Sequence, residues 1–263
     1  MKRTILICLF LPFTILVHSQ EYYVLQVKGT VKKSKTGALV KTKDVIKADE
    51  QLTFSSATDA VALVNPKAGR FILKPGKPTK TNELIAYMKD ALSQASSRLS
   101  TRSGGFNNVL DLKAFFKDPV LLLPELQYKV NGASFPISES AFFFIRYQYN
   151  GEAINKQLSI NKDSLIIVNR IELFKVDGKP IAGGETSGHQ LMYFSGQVEL
   201  SLCPLVFNLA DPETVKTEAD VLLDALKSAN NTSEKILTEL SAYLVENYAK
   251  VDDGNLRRWM KMK

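Results

Sequence analysis

An apolar run from Ile5 to Val17, preceded by Lys2 and Arg3 and followed from Glu21 by an alternating pattern, constrains this chain more than any other feature. A positive start, a short apolar centre and the compact residues Val17-His18-Ser19 form the arrangement a signal peptidase reads. Residues 1–19 are therefore expected to be a signal peptide, with Gln20 as the mature start. The run is shorter than the roughly 20 apolar residues a membrane-spanning helix requires. Cys8 lies inside it rather than just after it, so no lipid anchor is expected. The later apolar runs, Pro119 to Leu126 and Ala141 to Ile145, are shorter still, and no transmembrane span is expected in the mature protein. The expected location is periplasmic or extracellular, in a bacterium of Gram-negative type.

Removing the leader also removes half of the reactive inventory. Cys203 remains as the only cysteine and His189 as the only histidine, so an intramolecular disulfide is excluded. Cys203 sits in the apolar sequence LSLCPLVF, the setting of a small buried thiol rather than a nucleophile. One cysteine and one histidine cannot make a zinc site of the usual kinds. No cofactor-binding motif is found either: GxxxxGK[ST] is absent, and the glycine-rich stretch IAGGETSGH, residues 181–189, lies between strand patterns as a flexible connection instead of opening a helix.

From Tyr22 the short apolar runs come close together. Ala38 to Val40, Val45 to Ile46, Leu52 to Phe54, Ala60 to Val64 and Arg70 to Leu73 alternate with turn formers such as Lys35-Thr36-Gly37 and Asn65-Pro66. That spacing predicts a small β barrel or sandwich over residues 20–80. Residues 20–80 hold 12 Lys and Arg against 5 Asp and Glu, whereas residues 81–263 hold 20 against 22, so the positive charge of the mature chain belongs to this first module. Lys32, Lys33 and Lys35 are its candidate binding residues. A basic surface attracts an acidic protein face, an anionic glycan or a cell-wall component. Nucleic acid is not expected, because no reader motif accompanies the charge.

Within residues 22–73, Gly29-Thr30-Val31, the step from Val40 to Asp44, then IKADEQLTFSSATDAVALV and GRFIL resemble the small β domain of the FecR-like family. The resemblance covers about a fifth of the chain. It departs at Lys43-Asp44, where the family usually carries Gly-Asp, and no cytoplasmic tail or membrane span of the signalling members is found. It implies an extracytoplasmic interaction fold and supplies no catalytic residue.

Beyond the basic module, Leu84, Ile85, Met88, Ala91, Leu92, Ala95 and Leu99 recur at helical spacing and predict an amphipathic helix over Asn82 to Leu99. The Ser, Arg and Gly residues that follow mark a boundary at 100–105, so residues 81–105 are helix and linker. Residues 106–210 return to strand patterns. Asn150-Gly151 predicts a tight hairpin between strands at Ala141 to Tyr149 and Glu152 to Ile160. Further strands are expected at Ser164 to Val176, Gln190 to Phe194 and Gln197 to Leu209, making an antiparallel β sandwich. Residues 211–263 are expected to be an antiparallel helical pair. Asp211-Pro212 starts the first helix and Asn231 with Glu234 restarts the second, while Trp259 packs at a helix end. The fold class is thus mainly β with helices, α+β.

The function these features favour is an exported, non-enzymatic envelope protein that binds or scaffolds a protein, glycan or cell-wall partner. Two alternatives are a secreted carboxylate-dependent hydrolase and an accessory or inhibitor subunit of an exported enzyme. Candidate carboxylates for the hydrolase are Glu139, Glu152, Glu172 and Glu185, which fall near strands or loops. Asp163-Ser164-Leu165 also resembles an O-glycosylation site of exported proteins.

Overall fold

The computed structural model describes residues 21–75, 105–161 and 165–262. The leader, the expected helix at Asn82 to Leu99 and Asp163-Ser164 lie outside the described residues.

Strand alternation over residues 21–73 builds a compact β module. Strands β1 (Glu21–Lys28), β3 (Val45–Lys47), β5 (Ala60–Asn65) and β6 (Gly69–Leu73) form an antiparallel sheet in the order β3-β1-β5-β6. Strands β2 (Val31–Lys33) and β4 (Leu52–Phe54) pair beside it. Tyr22, Val24, Ile46, Val61, Leu63 and Phe71 bury the inner face. Between Val24 and Gln26 the register of β1 slips by one residue. A bulge of this kind flips the alternation beyond it. Val27 therefore keeps to the inner core, while Tyr23, Leu25 and Gln26 face the other way with Ala62 and Val64, toward the C-terminal helices.

At the end of β1 the chain turns through Gly29, whose φ is +81°. A Cβ at this position would lie 1.9 Å from Oδ1 of Asp59, a buried carboxylate that accepts a hydrogen bond from the Ser56 backbone N–H at 2.8 Å. Gly29→Ala therefore meets both a steric and a backbone penalty. It is expected to lower stability by about 2 kcal/mol, read as a shift in the urea unfolding midpoint.

Helix α1 (Val109–Phe116) is capped by Asn108, whose side chain accepts from the N–H groups of Leu110 and Asp111. The next segment, Val120 to Leu123, is at most 1% exposed at every residue. Pro119 and Pro124 bracket it and keep it from becoming a helix. It runs as strand β7 (Val120–Leu121), parallel to β17 (Phe207–Asn208). Burial on both sides is what an uninterrupted apolar strand requires.

Two antiparallel sheets share the large core. One has the order β10-β9-β15-β16, from β9 (Ala141–Tyr149), β10 (Glu152–Gln157), β15 (Ser187–Ser195) and β16 (Val198–Pro204). The other has the order β11-β12-β8, from β8 (Glu125–Lys129), β11 (Ser159–Ile160) and β12 (Leu165–Asn169). The expected hairpin forms, with Asn150 and Gly151 at φ +51° and +81°. Its second arm does not continue to Ile160 in one sheet. Leu158 buries into the core, and the chain passes from the first sheet to the second.

Two further expectations are corrected. The stretch Ser164 to Val176 is not one strand, because the Asn169 side chain accepts from the N–H groups of Ile171 and Glu172 and starts the short helix α2 (Arg170–Leu173). The flexible connection at 181–189 is instead ordered. It follows the short hairpin of β13 (Lys175–Val176) and β14 (Lys179–Pro180), contains a 3-10 turn, Gly183–Glu185, and runs into β15 at Ser187, and a Cβ on Gly183 would come within 2.9 Å of the Phe174 ring.

Three helices close the chain: α3 (Pro212–Ser228), α4 (Ser233–Asn247) and α5 (Asp253–Trp259). Asp211 caps α3 with Pro212 in its first turn, as the sequence predicts. Thr232, not Asn231, caps α4, and the Asn231 side chain instead donates to the Leu226 carbonyl at the end of α3. Helix α5 adds a third member to the expected pair, with Trp259 half-buried against the core. Its Asn255 acts as a substitute neighbouring strand for edge strand β8, accepting from the Gln127 N–H at 2.7 Å and donating to the Gln127 carbonyl at 3.1 Å. The fold is α+β, with several antiparallel sheets and C-terminal helices. Among the described residues no helix is long and apolar enough to cross a membrane.

Candidate functional site

The face of the β module that the β1 bulge turns outward is the face that carries the most chemistry. Gln26 points from it toward α3 and α4, where Glu218 is 2% exposed. The hydroxyls of Tyr243, at 2.7 Å, and of Tyr248 both donate to Glu218 Oε2, and the Gln26 amide stands 3.5 Å from the Tyr248 oxygen. Burial raises the Glu218 carboxyl above its ordinary value, and the hydrogen bonds of Tyr248, Tyr243 and Gln26 pull the other way. Both tyrosines are in turn raised by burial and by the neighbouring carboxylate. On the same seam Arg70 of β6 donates to Glu246 at 2.7 Å, lies 3.6 Å from Glu239 and sits over the Tyr243 ring at 5.7 Å.

Above Glu218 the seam opens into a cleft of about 510 Å³ between the β module and α3. Gln26, Val27, Thr30, Leu39, Lys41 and Thr42 are among the residues lining its module side, with Thr214 and Glu218 opposite. A second hollow of about 330 Å³ continues along α3 past Asp211, Glu213 and Thr217 and shares Thr42, Thr214 and Glu218 with the first. Asp211 is committed to its cap, accepting from the Thr214 N–H and hydroxyl, which holds its carboxyl below the usual range.

The lysines singled out from the sequence are not one cluster. Lys32 and Lys33 are successive residues of β2 and so point to opposite faces. Lys33 turns toward β3, donates to the Val45 carbonyl at 3.2 Å and lies 3.5 Å from Glu50 in the turn that follows. Lys32 and Lys35 are exposed, the latter in the turn after β2. Glu139, Glu152, Glu172 and Glu185 are all exposed and lie apart, in the turn before β9, in β10, in α2 and in the 3-10 turn, and Glu172 lies 3.4 Å from Lys175.

Cys203 is buried, and burial pushes its thiol up to about 11, so it stays protonated at neutral pH. His189 packs against the rings of Tyr147, Phe174 and Phe207, bonds the Thr186 hydroxyl at 2.9 Å, and is lowered by burial. Among the described residues no three His, Cys, Asp or Glu side chains come together as a metal site.

No known family, characterised protein or solved structure matches the chain. Site assignment therefore rests on geometry alone. The Glu218 network had no sequence signal beyond its place in α3, where residue 218 falls on the stripe of Val215, Ala219 and Leu222. A carboxylate within an apolar helical stripe is the one mark that could have singled it out.

Proposed function

We propose that the protein is an exported, non-enzymatic binding or scaffold protein of the cell envelope, whose basic β module engages an anionic glycan, cell-wall component or acidic protein face. One observation carries this reading. Lys28, Lys32, Lys35, Lys41, Lys43 and Lys47 are all solvent-exposed on a module of a few short strands, and none of them is held in an ion pair with a described residue. Exposed cations left without counter-charges create a positive field that attracts polyanions. The leader-like start of the sequence supports export.

The same reading takes residues 22–73 as a FecR-like interaction module. Lys43 has a φ of +78°, the left-handed conformation that glycine adopts most easily, at the step where that family usually has Gly-Asp. The geometry of the step thus favours the residue the resemblance calls for, and lysine occupies it at some backbone cost.

Cosedimentation with purified cell-wall sacculi tests the function. The protein is expected to pellet with them at low salt and to be released as salt rises, because exposed charges are screened over about 10 Å at 0.1 M. Reversing Lys32, Lys33 and Lys35 to glutamate should cut the bound fraction roughly tenfold. Binding that ignores both salt and charge reversal would remove the electrostatic basis of the proposal.

A further inference from the structure

The cleft above Glu218 has the opposite character to the basic surface beside it. Among the residues lining its two hollows, Asp211, Glu213 and Glu218 supply negative charge and Lys41 is the one cation. Thr42, Thr214 and Thr217 present hydroxyls, and Val27 and Leu39 present aliphatic surface. Glu218 reaches both hollows although it is almost wholly buried. Its two tyrosine bonds both fall on Oε2, and the Gln26 side chain adds a third interaction with the carboxylate.

We propose that this cleft binds a primary ammonium group on an aliphatic stem, with the ammonium on Glu218 Oε1 and the stem along Val27 and Leu39. The chemistry selects this group over its competitors. A guanidinium is recognised best by a carboxylate that offers both oxygens to its fork, and Oε2 is already occupied by two tyrosines. A calcium ion needs six or more oxygen ligands, whereas one buried carboxylate oxygen with threonine hydroxyls nearby suits a compact donor of three N–H bonds. An apolar group of the same length would fill the hollow and leave the carboxylate without a counter-charge. Burial disfavours the charged form of Glu218, and an ammonium supplies the counter-charge that restores it. The ammonium could be carried by a free diamine or by a lysine side chain of a partner, and the cleft chemistry is the same for both.

Isothermal titration of the purified protein with cadaverine, with Nα-acetyl-lysine amide and with Nα-acetyl-norleucine amide tests the site. Norleucine keeps the stem and lacks the ammonium. At least one amine is expected to bind at least about tenfold more tightly than the norleucine compound, the value of one charge-assisted hydrogen bond. Preference for cadaverine identifies a free diamine as the ligand, and preference for the lysine compound identifies a side chain. Glu218→Gln should abolish the difference. If that variant does not fold, Thr42→Lys, which places a competing ammonium at the rim without touching the tyrosines, should block both amines. Equal binding of the norleucine compound, no binding of either amine, or amine binding that survives Thr42→Lys would overturn the assignment. Reversal of Lys32, Lys33 and Lys35 should leave amine binding intact, so this site and the sacculus-binding surface succeed or fail separately.

Discussion

Replacing Arg170 by methionine is expected to lower stability by about 4 kcal/mol, measured by urea unfolding followed by circular dichroism. Arg170 opens α2, and its guanidinium donates to three backbone carbonyls: Leu122 at 2.8 Å, Ala210 at 2.9 Å and Leu209 at 3.0 Å. These carbonyls come from the buried Leu-rich segment and from the turn that leads into α3. One side chain therefore joins the sheets to the helices. Methionine fills the same space and donates nothing, leaving three carbonyls without their charged partner. Arg170→Lys keeps the charge as a point donor and should recover less than half of the loss, because an ammonium cannot reproduce the planar fork. A methionine variant within about 1 kcal/mol of the parent would mean that water satisfies these carbonyls instead.

Tyr243→Ala should cost a similar amount, about 4 kcal/mol. The ring is 1% exposed between α3, α4 and Arg70, so its removal leaves a cavity as well as an unpaired bond at Glu218. Tyr243→Phe separates the two effects and should cost about 2 kcal/mol, the hydroxyl's share. The pH dependence of stability gives an independent check on the same network. The folded state raises the Glu218 carboxyl above its ordinary 4.5, so between 4.5 and the folded value the native protein holds more protons than the unfolded chain. Stability must therefore fall as pH rises through that window. Glu218→Gln should remove this share of the slope. Asp252 and Asp253, also raised by burial, keep theirs.

Much of the local structure was legible because its causes are local. The Asn150-Gly151 turn and the Asp211-Pro212 helix start need only a few neighbouring residues, and each stands where the sequence places it. The errors have other causes. Asn169 turns a strand into a helix because its side chain caps the next residues, and Leu158 moves the chain to another sheet because a core position is available there. Asn231 and Thr232 are both competent caps, and the Leu226 carbonyl claims the side chain of the first. Period and composition cannot rank such alternatives: at Asn169 and Asn231 a side chain chooses among nearby backbone groups, and at Leu158 packing from distant segments decides.

The same division holds for the candidate sites. The excess of lysine in the first module can be counted from residue types alone. That Lys33 turns toward Glu50 while Lys32 faces away could be seen only with β3 in place. The Glu218 network lies further from any local pattern, since it joins residues 26, 218, 243 and 248. A one-residue slip in β1 aims Gln26 at the helices, and Tyr243 of α4 with Tyr248 just past its end makes a buried carboxylate tolerable. By itself the sequence determined the α+β class, the turns, the first helix cap and the charge asymmetry, all of which follow from short-range sterics and composition. Only the tertiary structure decided which faces meet, because burying a polar group is affordable only where partners from distant segments converge on it.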